Sequence, residues 1–350
     1  MRILVVRFRR VGDALLSTTV CRSLKKSYPK AEIHYVLNEG IAELFAKDPY
    51  IDKLITFSTD ELQNPLKYLI KVWKLVRANQ YSIIVDLRTT LNTLPFALFS
   101  PKSKFRIGFY KPYNYLIHNY RVPTFLTSGD YIQQSLSFLN PLYKHGDIIK
   151  DSLFAIYLEE NEKAAFREKM KTEGIDFEQP IVVCSVTTRV INKRWPMEYM
   201  REIIKKIIKE FPSFQLVFNY GGKVEQKIAT DLYYALGKPS QVFINIEAES
   251  LRELAAMLSC STYFFGNEGG ARHIAQAMEV PSFALFSPEI SIDQWLPNRC
   301  EAYDGIAINE IIVDDGIREN MNSKELFYSI TPEIVWKKLK RKLEIFVLNK

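Results

Sequence analysis

The residues best placed to do chemistry sit in one run, Gly266-Asn267-Glu268-Gly269-Gly270-Ala271-Arg272-His273. It follows the apolar segment Tyr263-Phe264-Phe265 and precedes Ile274-Ala275-Gln276-Ala277, so the order reads as strand, glycine turn, helix. Paired glycines at a helix start leave the first backbone N–H groups open to a phosphate, with no Cβ in the way. Glu268 adds a carboxylate at the turn, and His273 falls in the first helical turn. Such groups suit a phosphorylated, hydroxyl-bearing molecule such as a nucleotide sugar. The plainer alternative is an ordinary strand–helix turn, because short glycine motifs recur without function.

Three other constellations carry chemistry. Gly12-Asp13 follows the first apolar run, with Arg7, Arg9 and Arg10 before it and Ser17, Thr18 and Thr19 one turn on. A carboxylate there can deprotonate a hydroxyl, or it can simply face the positive end of a helix. The lone Gly12 is not a three-glycine dinucleotide fingerprint, which counts against a nicotinamide-dependent oxidoreductase. The run Thr187-Thr188-Arg189-Val190-Ile191-Asn192-Lys193-Arg194-Trp195-Pro196 offers two hydroxyls and three cations ahead of a helix. It reads as a diphosphate site in which Lys193 neutralises a leaving group, or as a basic loop plugged by Trp195-Pro196. Gly221-Gly222-Lys223-Val224-Glu225 puts a carboxylate just past a glycine turn, suited to ribose hydroxyls or to the first turn of a helix. No Asp-x-Asp metal pair stands out, and no metal or other cofactor is expected.

Each motif lies where an apolar strand ends. Residues 3–6, 32–36, 54–57 and 83–87 read as strands alternating with helices over 11–28, 41–46 and 66–77. The last of these is strongly amphipathic, with Leu66, Leu69, Ile70, Trp73 and Val76 on one face and Lys67, Lys71 and Lys74 off it. From 109 to 150 the alternation fades into a stretch with Tyr110, Tyr113, Tyr115, Tyr120 and Phe125. It reads as loops and a helix over 131–139 that shape an acceptor cleft, or as plain aromatic packing. A linker over 144–156 leads to a second series, with helices over 160–172, 197–211, 224–236, 251–258 and 273–278. Its strands fall at 181–185, 214–219, 242–245, 263–265 and 282–286. Such alternation implies right-handed crossovers and parallel sheets. The expected fold is therefore α/β, two doubly wound Rossmann-like domains facing across a cleft, with ligands beyond the carboxyl ends of the strands. The last helix, over 332–347, carries Lys337, Lys338, Lys340, Arg341 and Lys342. It reads as a solvated surface helix, as one packing back on the first domain, or as one touching an anionic bilayer through Trp336 and Phe346.

Composition narrows the classes. A chain of 350 residues suits two domains, and 47% hydrophobic content is ordinary for a globular protein. The net charge of +7 is uneven: residues 1–150 carry 22 Lys and Arg against 11 Asp and Glu, the remainder 25 against 29. The basic half suits an anionic partner, a phosphorylated substrate or an acidic membrane surface. Nucleic acid is not expected, for no nucleic-acid module or Arg-rich arm is present. Cys21, Cys184, Cys260 and Cys300 lack metal-ligand spacing and read as buried thiols of a reducing compartment. The opening apolar run is too short for a secretory signal, and no run of 18 apolar residues exists. The expected location is cytoplasmic, free or peripheral at the inner face of the inner membrane.

Taken in order, the motifs resemble the heptosyltransferases of glycosyltransferase family nine. The resemblance rests on Gly12-Asp13-Ala14-Leu15-Leu16-Ser17-Thr18-Thr19, Lys193-Arg194-Trp195-Pro196, Gly221-Gly222 with Glu225, Leu251-Arg252-Glu253-Leu254-Ala255, and Gly266 to His273 with Pro281 and Phe286-Ser287-Pro288. It implies a GT-B fold and inverting, metal-independent transfer of heptose from ADP-heptose to a lipopolysaccharide core acceptor, a phosphorylated lipid-linked saccharide. It implies Asp13 as the catalytic base, and Thr187, Thr188 and Lys193 on the diphosphate, Lys193 stabilising its departure. Glu225 would bind the ribose, and Glu268, Gly269, Gly270, Ala271 and His273 the donor sugar and phosphates. Residues 1–156 would bind the acceptor and 157–330 the nucleotide sugar, with 331–350 a closing helix packing back on the first domain. One departure stands out. The family usually has Asp, a small residue and Gly where this chain has Glu268-Gly269-Gly270. One methylene is worth roughly 1–3 kcal/mol of discrimination, so the donor is open to another sugar. The alternatives are a glycosyltransferase with a different nucleotide sugar or acceptor, or a catalytically silent nucleotide-sugar-binding protein.

Overall fold

Ile3-Leu4-Val5-Val6 and Ile181-Val182-Val183-Cys184 are apolar without alternation, as strands buried on both faces of a parallel sheet must be. In the computed structural model, which describes residues 1–124 and 129–348, both runs lie inside such sheets. The chain divides into two units, Met1–Tyr157 and Leu158–Lys350.

Among the described residues the first unit holds one sheet of six parallel strands: β1 (Arg2–Val6), β2 (Glu32–Asn38), β3 (Lys53–Phe57), β4 (Ile83–Asp86), β5 (Phe105–Phe109) and β6 (Tyr120–Val122). Their order is β3-β2-β1-β4-β5-β6. β1 pairs with both β2 and β4, Val6 lying opposite Val36 and Asp86. The order reverses at that point, and reversal is where a doubly wound sheet opens a crevice at its carboxyl end.

The second unit repeats the scheme with β7 (Ile181–Ser185), β8 (Gln215–Phe218), β9 (Val242–Phe243), β10 (Tyr263–Asn267), β11 (Ser282–Leu285) and β12 (Tyr303–Ile306). The order is β12-β11-β10-β7-β8-β9, again all parallel. Reversal falls between β7 and β10. The loop after β7 carries Thr187 to Lys193, and the turn after β10 carries Glu268 to His273.

Several expectations need correction. β5, β6 and β12 form where the sequence pattern gave no strand, and β6 puts a strand inside the 109–150 stretch expected to be loops and one helix. Tyr110, Tyr113 and Tyr115 stay exposed, and the Arg121 guanidinium stacks on Tyr110 and Tyr115 at 5.0 and 4.6 Å. Phe125 lies outside the described residues. The helix Pro65–Asn79 buries only Val76 of its expected apolar stripe. It buries Tyr68, Val72 and Val76, leaving Leu66, Leu69, Ile70 and Trp73 outside. Tyr68 decides the orientation, for its ring meets Phe8, Phe57 and Phe96 and its hydroxyl donates to the Asn92 carbonyl.

The closing helix Pro332–Leu343 joins the second unit. Val335, Leu339, Leu343 and Val347 complete the core of the second unit, Trp336 rests on Phe211 and Phe346 on Tyr263. Val335, Leu339, Leu343 and Val347 are therefore core of that unit, and the two aromatics expected at a bilayer are partly buried against it. Of the cysteines, Cys21 and Cys184 are buried, but Cys260 is half-buried and Cys300 exposed.

Candidate active site

β10 runs on through Gly266 and Asn267, beyond its apolar run. Gly266 has φ +144, and a Cβ there would lie 2.7 Å from the Ser185 carbonyl carbon and 2.8 Å from its nitrogen. Only glycine lets β10 close on β7 at this level. Asn267 then fastens the two loops together. Its Nδ2 donates to the Ser185 carbonyl at 3.0 Å, and its Oδ1 accepts from the Trp195 N–H at 2.8 Å. The cationic loop and the glycine turn are thus held in one register.

That register brings three of the expected site residues together. Lys193 Nζ donates to Glu268 Oε2 at 2.9 Å, and His273 Nε2 lies 3.7 Å from Oε1. Burial alone would raise the Glu268 carboxyl. The hydrogen bond from His273 and the charges of Lys193, His273 and Arg272 outweigh it and hold the group at about 2. Glu268 is therefore a carboxylate at neutral pH despite its burial. Gly269 is the N-cap of the helix Gly270–Ala277 and offers no side chain, so the first-turn N–H groups of Gly270, Ala271 and Arg272 face no capping side chain. Thr187 is buried just past β7, and its Oγ1 has no partner among the described residues, whereas Thr188 is half-buried. A buried hydroxyl left unpaired costs about 1–3 kcal/mol, which a ligand oxygen would recover. Glu225 stands in the first turn of the helix Gly222–Ala235, its Oε2 accepting from the Gly221 N–H at 3.3 Å. Burial raises its carboxyl, and Gly221, Arg189 and Arg194 oppose that rise, so Glu225 shares its field with the loop after β7.

Arg272 is the residue that sequence reasoning passed over. Its guanidinium is fully buried, donates to Gln276 Oε1 at 2.7 Å and to the Trp295 carbonyl, and lies 2.8 Å from the His273 ring nitrogens. Burial lowers it to about 10, with the Glu268 charge opposing. Gln276 in turn donates to the Pro297 carbonyl at 2.7 Å. The available signal was the i, i+4 spacing of Arg272 and Gln276, a pair that shares one helix face.

Asp13 belongs to the first unit. It sits in the first turn of the helix Val11–Ser27, where it forms an ion pair with Arg7 at the end of β1. Arg7 Nη1 also donates to the Leu87 carbonyl at 2.6 Å, bracing the loops after β1 and β4 together. Burial raises the Tyr131 hydroxyl, and the Asp13 charge adds to the rise while Arg7 opposes it. Arg88 is lowered by burial and then by Arg9 and Arg7, a sign of crowded cations at this sheet end. Arg9 and Thr89 both hold left-handed backbone, φ 89 and 50, and strain of that kind gathers at functional sites. Tyr131 and Arg88 were not singled out from sequence, for only the pairing of β1 with β4 brings the Arg88 loop to Arg7.

Residues 69–294, well over half of the chain, match the sequence model of Glycosyltransferase family 9 (heptosyltransferase). The chain belongs to glycosyltransferase family 9. This family 9 glycosyltransferase is 26% identical over 301 residues to lipopolysaccharide heptosyltransferase 1 of Campylobacter coli, a match covering 82% of this chain and 84% of that one. It is 24% identical to lipopolysaccharide heptosyltransferase 3 of Escherichia coli K12, with 79% of each covered. Among solved structures it is similar to the family 9 glycosyltransferase of Veillonella parvula, with TM-score 0.80 and 18% identity, covering 100% of this chain and 97% of that one. An Escherichia coli heptosyltransferase solved with ADP-2-deoxy-2-fluoro heptose gives TM-score 0.69 at 16% identity, covering 97% and 99%. The glycosyltransferase thus has the GT-B type of α/β fold that the resemblance implied.

Proposed function

We propose that this glycosyltransferase moves heptose from ADP-heptose to a phosphorylated, lipid-linked saccharide acceptor of the lipopolysaccharide core, with inversion and without a metal. The observation that carries the reading is the Lys193–Glu268–His273 cluster beside the uncapped helix Gly270–Ala277. The names of the relatives, and the ADP-sugar ligand of one solved structure, support it.

On this reading residues 157–330 bind the donor and 1–156 the acceptor. Thr187, Thr188, Lys193 and the N–H groups of Gly270 and Ala271 hold the diphosphate. Glu225 takes ribose hydroxyls, and Glu268, Gly269, Gly270, Ala271 and His273 hold the sugar and its phosphates. Asp13 has one carboxylate oxygen engaged by Arg7. The other accepts the proton of the acceptor hydroxyl as that oxygen attacks the anomeric carbon. The bond from that carbon to the diphosphate breaks on the opposite face, which inverts the configuration. Lys193 and the helix amides take up the negative charge of the leaving ADP, the task a metal would otherwise serve. Among the described residues no helix is long and apolar enough to cross a membrane. We place the enzyme in the cytoplasm, at the inner face of the inner membrane. Glu268, one methylene longer than the carboxylate usual in the family, favours a second reading with the same machinery and a different donor sugar.

Thermal-shift measurements decide. ADP and ADP-heptose should raise the melting temperature and uridine nucleotides should not; a ligand at 100 times its Kd adds about 2.7 kcal/mol. Asp13→Ala should keep that shift and lose transfer, and normal turnover by this variant would remove Asp13 from the base role. Stabilisation by another nucleotide would move the donor, and no response to any would overturn the site.

A further inference from the structure

We propose that the outward face of the Pro65–Asn79 helix is a docking surface for an anionic lipid bilayer. The helix already has an inner face, Tyr68, Val72 and Val76, which satisfies the core. Beside it runs a second apolar stripe that stays open to solvent: Leu66 is 69% exposed, Leu69 38%, Ile70 44% and Trp73 48%. The spacing i, i+3, i+4, i+7 places all four on one line along a helix about 22 Å long. The short helix Leu94–Leu98 packs on the inner face through Phe96 on Tyr68, and Leu98 in it and Leu91 just before it are exposed.

Charge selects the occupant. The helix contains no acidic residue and four cations, Lys67, Lys71, Lys74 and Arg77. Lys67 is paired with Asp60 and Lys71 with Glu61, whereas Lys74 and Arg77 meet no carboxylate among the described residues. Lysine is depleted from protein–protein interface cores. It is enriched beside Trp and Leu on helices that lie in a bilayer surface, where ammonium groups reach lipid phosphates and the ring sits at headgroup depth. The twofold excess of cations over acids in residues 1–150 adds attraction of the same sign. This surface stands on exposure and charge alone, independent of which sugar is carried.

The test is flotation of the full-length protein with vesicles of phosphatidylethanolamine and phosphatidylglycerol in equal parts, against vesicles of phosphatidylcholine. The wild type should float with the anionic vesicles, release as salt rises, and remain behind with the neutral ones. Ile70→Ser/Trp73→Ser should lower binding by at least about tenfold, and Lys74→Glu/Arg77→Glu should do the same. All four positions are exposed, so both variants should keep the wild-type melting temperature and nucleotide response. Failure of the wild type to bind anionic vesicles would overturn the proposal, as would wild-type binding by the Ile70/Trp73 variant. A wild-type dimer that this variant dissolves would overturn it in favour of self-association. Intact vesicle binding without any nucleotide response would refute the donor assignment and leave this surface standing.

Discussion

Lys193 carries two burdens. With His273 and Arg272 it keeps a buried carboxylate charged, and it is the cation assigned to the leaving group. Lys193→Met should therefore fail in two ways. Transfer should fall by about 10²–10³-fold, the usual cost of one transition-state partner. Stability should fall by roughly 3–5 kcal/mol, because Glu268 is left buried without its ion pair. Adding Glu268→Gln should restore much of the stability and none of the transfer, readable by urea denaturation beside a transfer assay. A single variant with full stability would mean that Lys193 does not support Glu268. At this scale Glu268, His273 and Lys193 were legible because each follows the carboxyl end of a strand, where chain direction alone puts them near one another. Arg272 was not. Its burial depends on the Trp295 and Pro297 carbonyls and on Gln276, a meeting that no local spacing announces except the i, i+4 step.

The end of β4 shows how an element holds its loop. Asp86 closes the strand fully buried, accepting from the Thr89 N–H at 2.8 Å and the Thr93 hydroxyl at 2.7 Å. Burial pushes its carboxyl up from 3.8 to about 6, against those hydrogen bonds. A raised acid stabilises the folded state below its unfolded value and loses that contribution as pH rises through about 6. Between pH 4 and 7 the stability of Asp86→Asn relative to wild type should therefore improve by roughly 2 kcal/mol. Denaturation midpoints across that range check it, and parallel curves would mean the carboxyl titrates normally. Elements were legible where the pattern is long. The Pro65–Asn79 helix was clear, but not its orientation, because it carries two apolar stripes and an aromatic cluster from the loop after β1, β3 and the 94–98 helix chooses Tyr68. β6 and β12 escaped because they are edge strands. Tyr120-Arg121-Val122 and Tyr303-Asp304-Gly305-Ile306 are short and partly polar, without the unbroken apolar run that marks an inner strand.

For the whole molecule, two alternating series gave two sheets, but not where the last helix goes. Amphipathicity says that a helix must cover something, not what. Leu339, fully buried, ties it to the second core. Leu339→Ala should cost about 2–5 kcal/mol, measured by chemical denaturation; a loss below about 1 kcal/mol would contradict this packing.

That closing helix also sets a timetable for synthesis. A chain leaving the ribosome has delivered every strand of its first sheet by Val122 and all of that unit by Tyr157, so this half can fold while translation continues. The second half must wait. β7 emerges long before β10, its sheet partner, and the core stays open until Leu339, Leu343 and Val347 arrive. A ribosome that stalls between these points holds a finished unit tethered to an apolar, unfinished one, the species that chaperones and proteases compete for.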